Sequence, residues 1–262
     1  MSLLLDVDPS LARRLAKDMD ERGHAVIEGA VSAEELQRLR DYVDAQAQRH
    51  DKQYFAYHGL DALAGSPLAE LAQAAGFERT LARLHQAGAG EAAASSRIFP
   101  VLRCVQGGSG RKESNAFHYD ATLITLLLPI HIPTQGEQRG DLVLFPNSRR
   151  VRSNVVLNVI EKALLQNRVA RKLLCLAIER GWLKPQLLPM VPGNAYLFWG
   201  YRSLHANQPC AVDARRATAL FHYADPHAGS GLTRWILRLN QRRARRASER
   251  AGGRAGSNTA HT

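Results

Sequence analysis

The chain up to residue 90 is dominated by amphipathic helical patterns separated by short polar breaks. Residues Pro9–Glu21 place apolar side chains at helical spacing, with basic side chains between them. Asp8 stands directly before Pro9, which is typical of a capped helix that begins at a proline. The pattern therefore predicts a helix over Pro9–Glu21, with one apolar stripe formed by Leu11, Leu15 and Met19.

Further local signals extend this helical region. His24–Glu28 has the pattern of a short strand. Ser32–Glu35 has the spacing of a capping box, in which the Ser hydroxyl accepts the backbone N–H three residues later and the Glu carboxylate reaches back. A helix is predicted from there to about Arg49, and Ser66-Pro67 predicts the start of another. Gly88–Gly90 ends the helical part.

From Ser96 onward the pattern changes to short β-rich segments separated by Gly and Pro turns. Helices followed by many short strands predict an antiparallel barrel or sandwich that carries helices on its outside. One helical interruption is predicted over Asn154–Leu165 and Val169–Glu179, with Gly181 as its C-cap. The predicted strands are Arg97–Val105, Ala116–Leu128, Asp141–Phe145, Ala195–Trp199 and Ala217–Tyr223.

The C-terminal segment differs from the rest. Leu232–Arg250 combines a Trp/Ile/Leu stripe with an arginine cluster, which predicts a basic amphipathic helix at about 231–250. Residues 251–262 are small and polar and are predicted to be disordered. We therefore divide the chain into a single domain over 1–230, which includes a helical insert at about 150–190, followed by this helix and tail.

Composition narrows the function classes. The 262 residues are 45% hydrophobic and 23% charged, which is typical of a globular protein. No apolar run approaches the roughly 20 residues of a transmembrane helix, and the N-terminus lacks a signal-peptide pattern, so a cytoplasmic location is expected. Three cysteines without CxxC spacing argue against a disulfide framework or a zinc knot. A formal net charge of +11 predicts attraction to anionic partners.

The residues with the clearest chemistry are His118, Asp120 and His205. His118 and Asp120 are two apart on a predicted strand, so alternation places both side chains on one face. With a distant His they would form a 2-His-1-carboxylate facial triad, the ligand set of non-haem Fe(II) oxygenases. The alternatives are a buried His–Asp hydrogen bond beside an unrelated His, and a zinc hydrolase site with the same ligands.

Two adjacent arginines, Arg215 and Arg216, stand at the start of the last predicted strand. Arg216 lies eleven residues after His205 and opens the strand that runs to Tyr223. A guanidinium at this place can form a bidentate pair with a carboxylate. Only one of two adjacent residues can face the pocket; spacing favours Arg216 and leaves Arg215 as the alternative. His222 shares the strand parity of Arg216.

At these residues the chain resembles the Fe(II)/2-oxoglutarate-dependent dioxygenases, specifically the phytanoyl-CoA dioxygenase-like branch. The resemblance spans about residues 10–225. One departure is Pro146–Arg149, where the family usually has Pro-Gly-Ser-His. The residues that carry the resemblance are His118-Tyr-Asp120, His205, Arg216, the segment Gly140–Ser148 and the opening segment Gly23–Leu36.

The resemblance implies a mainly β (α+β) fold with flanking helices around a double-stranded β-helix, the jelly-roll or cupin-like core. It implies that His118, Asp120 and His205 hold Fe(II) and that Arg216 binds the distal carboxylate of 2-oxoglutarate. Dioxygen would be the second co-substrate, ascorbate a reductant, and hydroxylation with release of succinate and CO2 the default outcome. Candidate substrate contacts are Arg103, Asn115, Tyr119, Trp199 and Tyr201.

The charge pattern shapes the expected partners. We expect a small or lipid-linked anionic substrate, and peripheral contact of the C-terminal helix with an anionic membrane such as the inner membrane surface. Nucleic acid is disfavoured, because no recognition helix or stacking platform is evident. The alternatives are a non-catalytic jelly-roll binding module and a nucleic-acid-modifying oxygenase. The sequence does not specify the oligomeric state.

Overall fold

The structure, a computed structural model, describes residues 4, 7–110, 113–136, 138–151 and 167–227. Residues 1–226 form one compact unit. The predicted helices at Asn154–Leu165 and 231–250, and the predicted disordered tail 251–262, lie outside the described residues.

The helices precede the β core in the chain and begin where local capping signals stand. Asp8 accepts the backbone N–H groups of Ser10 and Leu11, and the Ser32 capping box forms in both directions. Gly90 ends the helical part in the left-handed conformation, with φ of 76°. The described helices are α1 (Pro9–Glu21), α2 (Ala33–Arg49), α3 (Pro67–Gln73), α4 (Ala75–Ala89), α5 (Gly107–Gly110) and α6 (Arg168–Glu179).

The described strands pair exclusively in antiparallel fashion and form two sheets. The larger sheet has the order β1-β7-β4-β9-β3-β2 and the smaller β6-β5-β8. The strands are β1 (Ala25–Ile27), β2 (Phe55–His58), β3 (Phe99–Val105), β4 (Ile124–His131), β5 (Leu142–Phe145), β6 (Gln186–Leu188), β7 (Ala195–Trp199), β8 (Leu204–Asn207) and β9 (Arg216–Tyr223).

Successive strands from β3 onward pass between the two sheets, as in a double-stranded β-helix. The chain leaves β3 in the larger sheet, pairs His118 with β8 in the smaller one, and returns to the larger sheet as β4. The later strands repeat this crossing: β5 and β6 lie in the smaller sheet, β7 in the larger, β8 in the smaller and β9 in the larger. This order confirms the expected jelly-roll core with flanking helices.

One predicted strand is wrong in its extent. The sequence predicts a single strand over Ala116–Leu128, but only His118 forms a bridge there and β4 begins at Ile124. The chain must turn between the two because it crosses from one sheet to the other. Asp120 N–H donates to the Gly200 carbonyl (3.0 Å) and Leu123 N–H to that of Ala224 (2.8 Å), which fix this turn.

Apolar side chains fill three layers. One cluster lies between the helices and the outer face of the larger sheet, and includes Phe77, Trp199 and Phe221. A second fills the space between the sheets, with Leu144 and Phe198 among its members. A third lies on the outer face of the smaller sheet, where α6 packs. Apolar side chains therefore fill one end of the space between the sheets, and polar side chains lie at the other end.

Helix α6 is the described helix of the insert predicted at about 150–190. It packs Leu174, Cys175 and Ile178 against the outer face of the smaller sheet. Its apolar periodicity explains this placement, because that stripe needs an apolar surface to cover it. None of the helices among the described residues has the length and apolar character needed to cross a bilayer.

Candidate metal centre

The backbone brings His118 and His205 side by side. His118 N–H donates to the His205 carbonyl and His205 N–H to the His118 carbonyl, each at 3.0 Å. Residues that exchange both hydrogen bonds in an antiparallel pair project their side chains on the same face. The two imidazole centroids are accordingly 4.4 Å apart. This bridge places two nitrogen ligands at one point from residues 87 positions apart in sequence.

Asp120 completes the cluster. Its Oδ1 lies 3.7 Å from His118 Nε2 and its Oδ2 lies 3.5 Å from His205 Nε2. The Thr125 hydroxyl donates to Asp120 Oδ2 at 2.5 Å and so fixes the carboxylate. One candidate ligand atom from each of the three residues lies within 4.8 Å of the others. A single metal ion can therefore contact all three side chains.

The histidine hydrogen bonds leave the inward nitrogens available as ligands. Nδ1 of His118 lies 2.8 Å from the Ala116 carbonyl, and Nδ1 of His205 lies 3.0 Å from the Ser203 carbonyl. A carbonyl oxygen only accepts, so each Nδ1 carries the hydrogen and each Nε2 carries a lone pair. Nε2 of His205 is buried and has no hydrogen-bond partner among the described residues. These residues fit a divalent metal, which would satisfy that nitrogen.

The electrostatics keep the ligands in their metal-binding forms. Partial burial, reinforced by neighbouring His205, lowers the pKa of His118 below its ordinary value. Burial alone would raise the pKa of Asp120, but the surrounding histidines His205, His222 and His118 and the Thr125 hydroxyl hold it below its ordinary value. At neutral pH His118 is thus a neutral imidazole and Asp120 an ionised carboxylate, as metal binding requires.

Arg216 lies in the same interior and lacks a described anionic partner. Its side chain is 3% exposed; Nε donates to the Gly140 carbonyl (2.6 Å) and Nη1 to the Thr218 hydroxyl (3.2 Å). No carboxylate of the described residues lies within ion-pair distance of it. Burial, together with Arg103, lowers the pKa of Arg216 to about 10, so the group remains cationic at neutral pH. A buried cation of this kind calls for an anionic ligand.

Arg215 points away from this interior. Its Nε donates to Gln106 Oε1 at 2.9 Å and its Nη1 pairs with Asp44. The two arginines therefore lie on opposite faces of β9, as alternation requires. The structure brings Arg216, and not Arg215, into the space that holds the triad.

The cluster opens on the side of His118. The exposed side-chain fraction is 34% for His118, against 8% for Asp120 and 4% for His205. Arg103 faces the same interior from β3, where it is paired with Thr218 of β9, and its Nη2 contacts Glu113 at 3.2 Å. The positive charge of Arg103 contributes to the lowered pKa of both His118 and Arg216, which indicates its proximity to both. Asn115 lies nearby on a half-buried turn and donates its backbone N–H to Asn207.

The aromatic candidates are placed differently. Tyr119 and Tyr201 sandwich the buried guanidinium of Arg149, at 4.0 and 4.2 Å from the ring centroids. Arg149 ends the turn Pro146–Arg149, and this stack attaches the turn to Tyr119, which lies between His118 and Asp120. Trp199 is buried in the helix-facing layer, where its indole donates to Asp20 (2.9 Å). The structure does not bring Trp199 to the triad.

Solved structures with a similar fold include an alpha-ketoglutarate-dependent carbocyclase, a prolyl hydroxylase and an epimerase solved with Fe3+ and alpha-ketoglutarate. A non-heme alpha-ketoglutarate-dependent carbocyclase, SnoK, from nogalamycin biosynthesis aligns over 84% of this chain and 87% of its own, with 14% identity and a TM-score of 0.56. A prolyl hydroxylase from Trichoplax adhaerens aligns over 85% and 93%, with 12% identity and a TM-score of 0.56. The epimerase SnoN, solved with Fe3+, alpha-ketoglutarate and nogalamycin RO, aligns over 83% and 85%, with 18% identity and a TM-score of 0.52.

No protein-family model and no curated protein sequence matches the chain. At identities of 12–18%, the similarity to solved structures establishes the shared fold and nothing finer. The likeness covers both the helices and the β core, since more than four fifths of each chain aligns. The chemistry assigned to this chain must therefore come from its own residues.

Sequence reasoning missed several residues that shape the site. The Thr125 hydroxyl holds the Asp120 carboxylate, and Gly200 leaves room for that carboxylate. The Thr218 hydroxyl and the Gly140 carbonyl hold the Arg216 guanidinium. Strand parity could have found Thr218, which is two residues after Arg216. The other contacts depend on the register between strands that are distant in sequence, so no local pattern announces them.

Gly200→Ala is expected to weaken metal binding by about 10- to 100-fold, the usual cost of disturbing a residue that orients a ligand. A Cβ at this position would overlap Thr125 Oγ1 and come within 2.5 Å of Asp120 Oδ2. Calorimetric titration with Mn(II) measures the affinity. Gly108→Ala is the matched control, because a Cβ there meets no atom within 4 Å. Equal Mn(II) affinities for the two variants would show that the space at Gly200 does not position the Asp120 carboxylate.

Proposed function

We propose that this protein is a non-haem Fe(II)/2-oxoglutarate-dependent dioxygenase of the phytanoyl-CoA dioxygenase-like branch. The observation that carries the proposal is the pairing of two features inside one jelly roll: an open 2-His-1-carboxylate cluster and a buried arginine without a described anionic partner. The first matches the ligand set for Fe(II), and the second suits the distal carboxylate of 2-oxoglutarate. The β1–α2 opening, which carries the branch resemblance, supports the narrower assignment.

His118, Asp120 and His205 would hold the iron, and Arg216 with the Thr218 hydroxyl would bind 2-oxoglutarate through its distal carboxylate. When bound, iron and 2-oxoglutarate supply the oxidising chemistry, in which dioxygen is consumed and 2-oxoglutarate becomes succinate and CO2 while substrate is oxidised. Thr125 holds the carboxylate ligand in place, and the two backbone carbonyls that accept from Nδ1 hold the imidazoles. The surrounding apolar layer excludes water from the buried side of the cluster.

The substrate would approach from the His118 side, where the cluster is open. Arg103 supports an anionic substrate, because it is a cation close enough to His118 to lower its pKa and its partner Glu113 is 36% exposed and can be displaced. We therefore propose hydroxylation of a small or lipid-linked anionic molecule. Acyl-CoA thioesters and acidic sugars are the first compounds to screen.

The test is succinate release from 2-oxoglutarate by the full chain in air, with added Fe(II) and ascorbate. We expect slow turnover without substrate that requires Fe(II), and acceleration by one of the anionic compounds. Calorimetry of 2-oxoglutarate with Mn(II) in place of iron gives a readout that is independent of turnover. Absence of both 2-oxoglutarate binding and turnover would overturn the proposal in favour of a non-catalytic jelly-roll binding module.

A further inference from the structure

Helix α6 has a solvent-exposed apolar side. One side packs against the smaller sheet through Leu174, Cys175 and Ile178. The other side presents Val169, Leu173 and Leu176 to solvent, with exposed fractions of 67%, 61% and 38%. Three large aliphatic side chains on one exposed helix side, at i, i+4 and i+7, form a stripe rather than scattered residues.

The turn after α6 extends this stripe. The backbone N–H groups of Trp182 and Leu183 both donate to the Ala177 carbonyl, at 2.9 and 3.1 Å, so the turn folds back on the last helical turn. Trp182 is 69% exposed and Leu183 is 40% exposed. We define the α6 surface as these two residues with Val169, Leu173 and Leu176.

Cations border the α6 surface. Lys172, Arg180 and Lys184 are exposed, and the Arg180 guanidinium lies 5.2 Å from the centre of the Trp182 ring. Glu179 is the single acidic residue in the sequence 167–191. Apolar side chains that include an exposed tryptophan, flanked by lysine and arginine, form the pattern of a helix that lies in the interface of an anionic membrane.

We propose that the α6 surface binds the surface of an anionic lipid bilayer. The aliphatic side chains and Trp182 would enter the boundary between headgroups and acyl chains, while Lys172, Arg180 and Lys184 would meet anionic headgroups. Charge complementarity favours this occupant over an uncharged protein groove. The exposed leucines and tryptophan between the cations disfavour nucleic acid, whose phosphates offer them no apolar contact.

Binding of this kind would bring the catalytic unit to a lipid-linked substrate. The Arg171 guanidinium of α6 donates to the Ser114 carbonyl, four residues before His118. α6 also packs on the cluster that contains Phe117 and Tyr119, the neighbours of His118. This consequence rests on the proposed function, whereas membrane binding itself does not, so either can fail without the other.

The experiment is flotation of the full chain with phosphatidylcholine vesicles that do or do not contain phosphatidylserine. We expect binding that requires phosphatidylserine and weakens as salt is raised. Lys172→Gln with Lys184→Gln is expected to reduce partitioning about 30-fold, because each cation near the surface contributes about 1 kcal/mol. The double substitution Leu173→Asn with Trp182→Ser is expected to reduce vesicle partitioning without a change in net charge.

Lys17→Gln is the control for loss of an exposed lysine, because Lys17 is also exposed but lies on α1, which packs on the larger sheet instead of the smaller one. Thermal unfolding of each variant checks that the fold is retained. The proposal is overturned if the wild-type chain binds neither vesicle, or if binding survives both sets of α6 substitutions. It is also overturned if Leu173→Asn with Trp182→Ser instead dissolves a dimer of this chain, or if the same residues mediate tighter binding to duplex DNA or RNA.

Discussion

Asp120→Ala and His118→Ala are each expected to reduce Fe(II)-dependent succinate formation to the level seen without protein. Each substitution removes one of three candidate ligands, and the remaining pair would be too few to hold the metal on one face. Asp120 also supplies the only negative charge among the three, so its loss removes the attraction for a divalent cation. Succinate release measures turnover, and calorimetric titration with Mn(II) measures metal binding separately.

Both variants are expected to remain folded, which makes the loss specific. His118 is partly exposed and lies in a single bridge outside the long strands, and Asp120 lies in a turn. His50→Ala is a suitable control, since His50 follows α2 and contacts Tyr57 at 2.9 Å rather than any residue of the triad. Normal turnover or unchanged Mn(II) affinity in either triad variant would show that these residues do not form the metal site.

Where a boundary is set by local chemistry, the sequence predicts it to the residue. The helix Pro9–Glu21 and the strand Ala195–Trp199 are confirmed as predicted, and the capping box at Ser32 begins α2. In each case the signal lies within a few residues of the boundary: a cap side chain, a proline or a Gly turn. Such signals are decided by short-range sterics and hydrogen bonds.

Where the boundary depends on tertiary structure, the sequence prediction fails. The apolar pattern over Ala116–Leu128 continues through the crossing between the sheets, so it hides the turn at Asp120. β2, β6 and β8 are short strands whose pairing partners lie far away in sequence, and none was predicted. Each becomes a strand because a neighbour offers hydrogen bonds, and a local pattern does not contain that information.

The same distinction between local signals and tertiary contacts applies to the candidate site. Spacing identified His118, Asp120 and the choice between two arginines, because alternation along a strand is local. The carboxylate clamp from Thr125 and the space left by Gly200 arise only when β4 and β7 are packed together. The exchange of backbone hydrogen bonds between His118 and His205 is likewise a long-range event. The candidate site residues can thus be predicted from the sequence, whereas the contacts that hold them in place cannot.

Arg216→Ala is expected to raise the KM for 2-oxoglutarate by about 30-fold or more, while Arg215→Ala leaves it nearly unchanged. Loss of one partner from a buried, hydrogen-bonded charge pair costs about 2–5 kcal/mol, which corresponds to at least that factor. Arg216 is held by the Gly140 carbonyl and the Thr218 hydroxyl inside the barrel, whereas Arg215 is occupied by Asp44 and Gln106. Initial rates of succinate formation at varied 2-oxoglutarate give the KM.

The comparison between adjacent arginines separates a binding role from a structural one. Both substitutions remove one guanidinium and one positive charge, so the change in net charge is the same in the two variants. Arg216→Lys refines the test, because it keeps the charge but loses the planar guanidinium, and an intermediate KM is expected. If Arg215→Ala raises the KM and Arg216→Ala does not, the strand register that places Arg216 between the sheets is incorrect. If neither substitution changes the KM, the co-substrate carboxylate binds elsewhere, and the buried Arg216 serves only to tie β9 to Gly140.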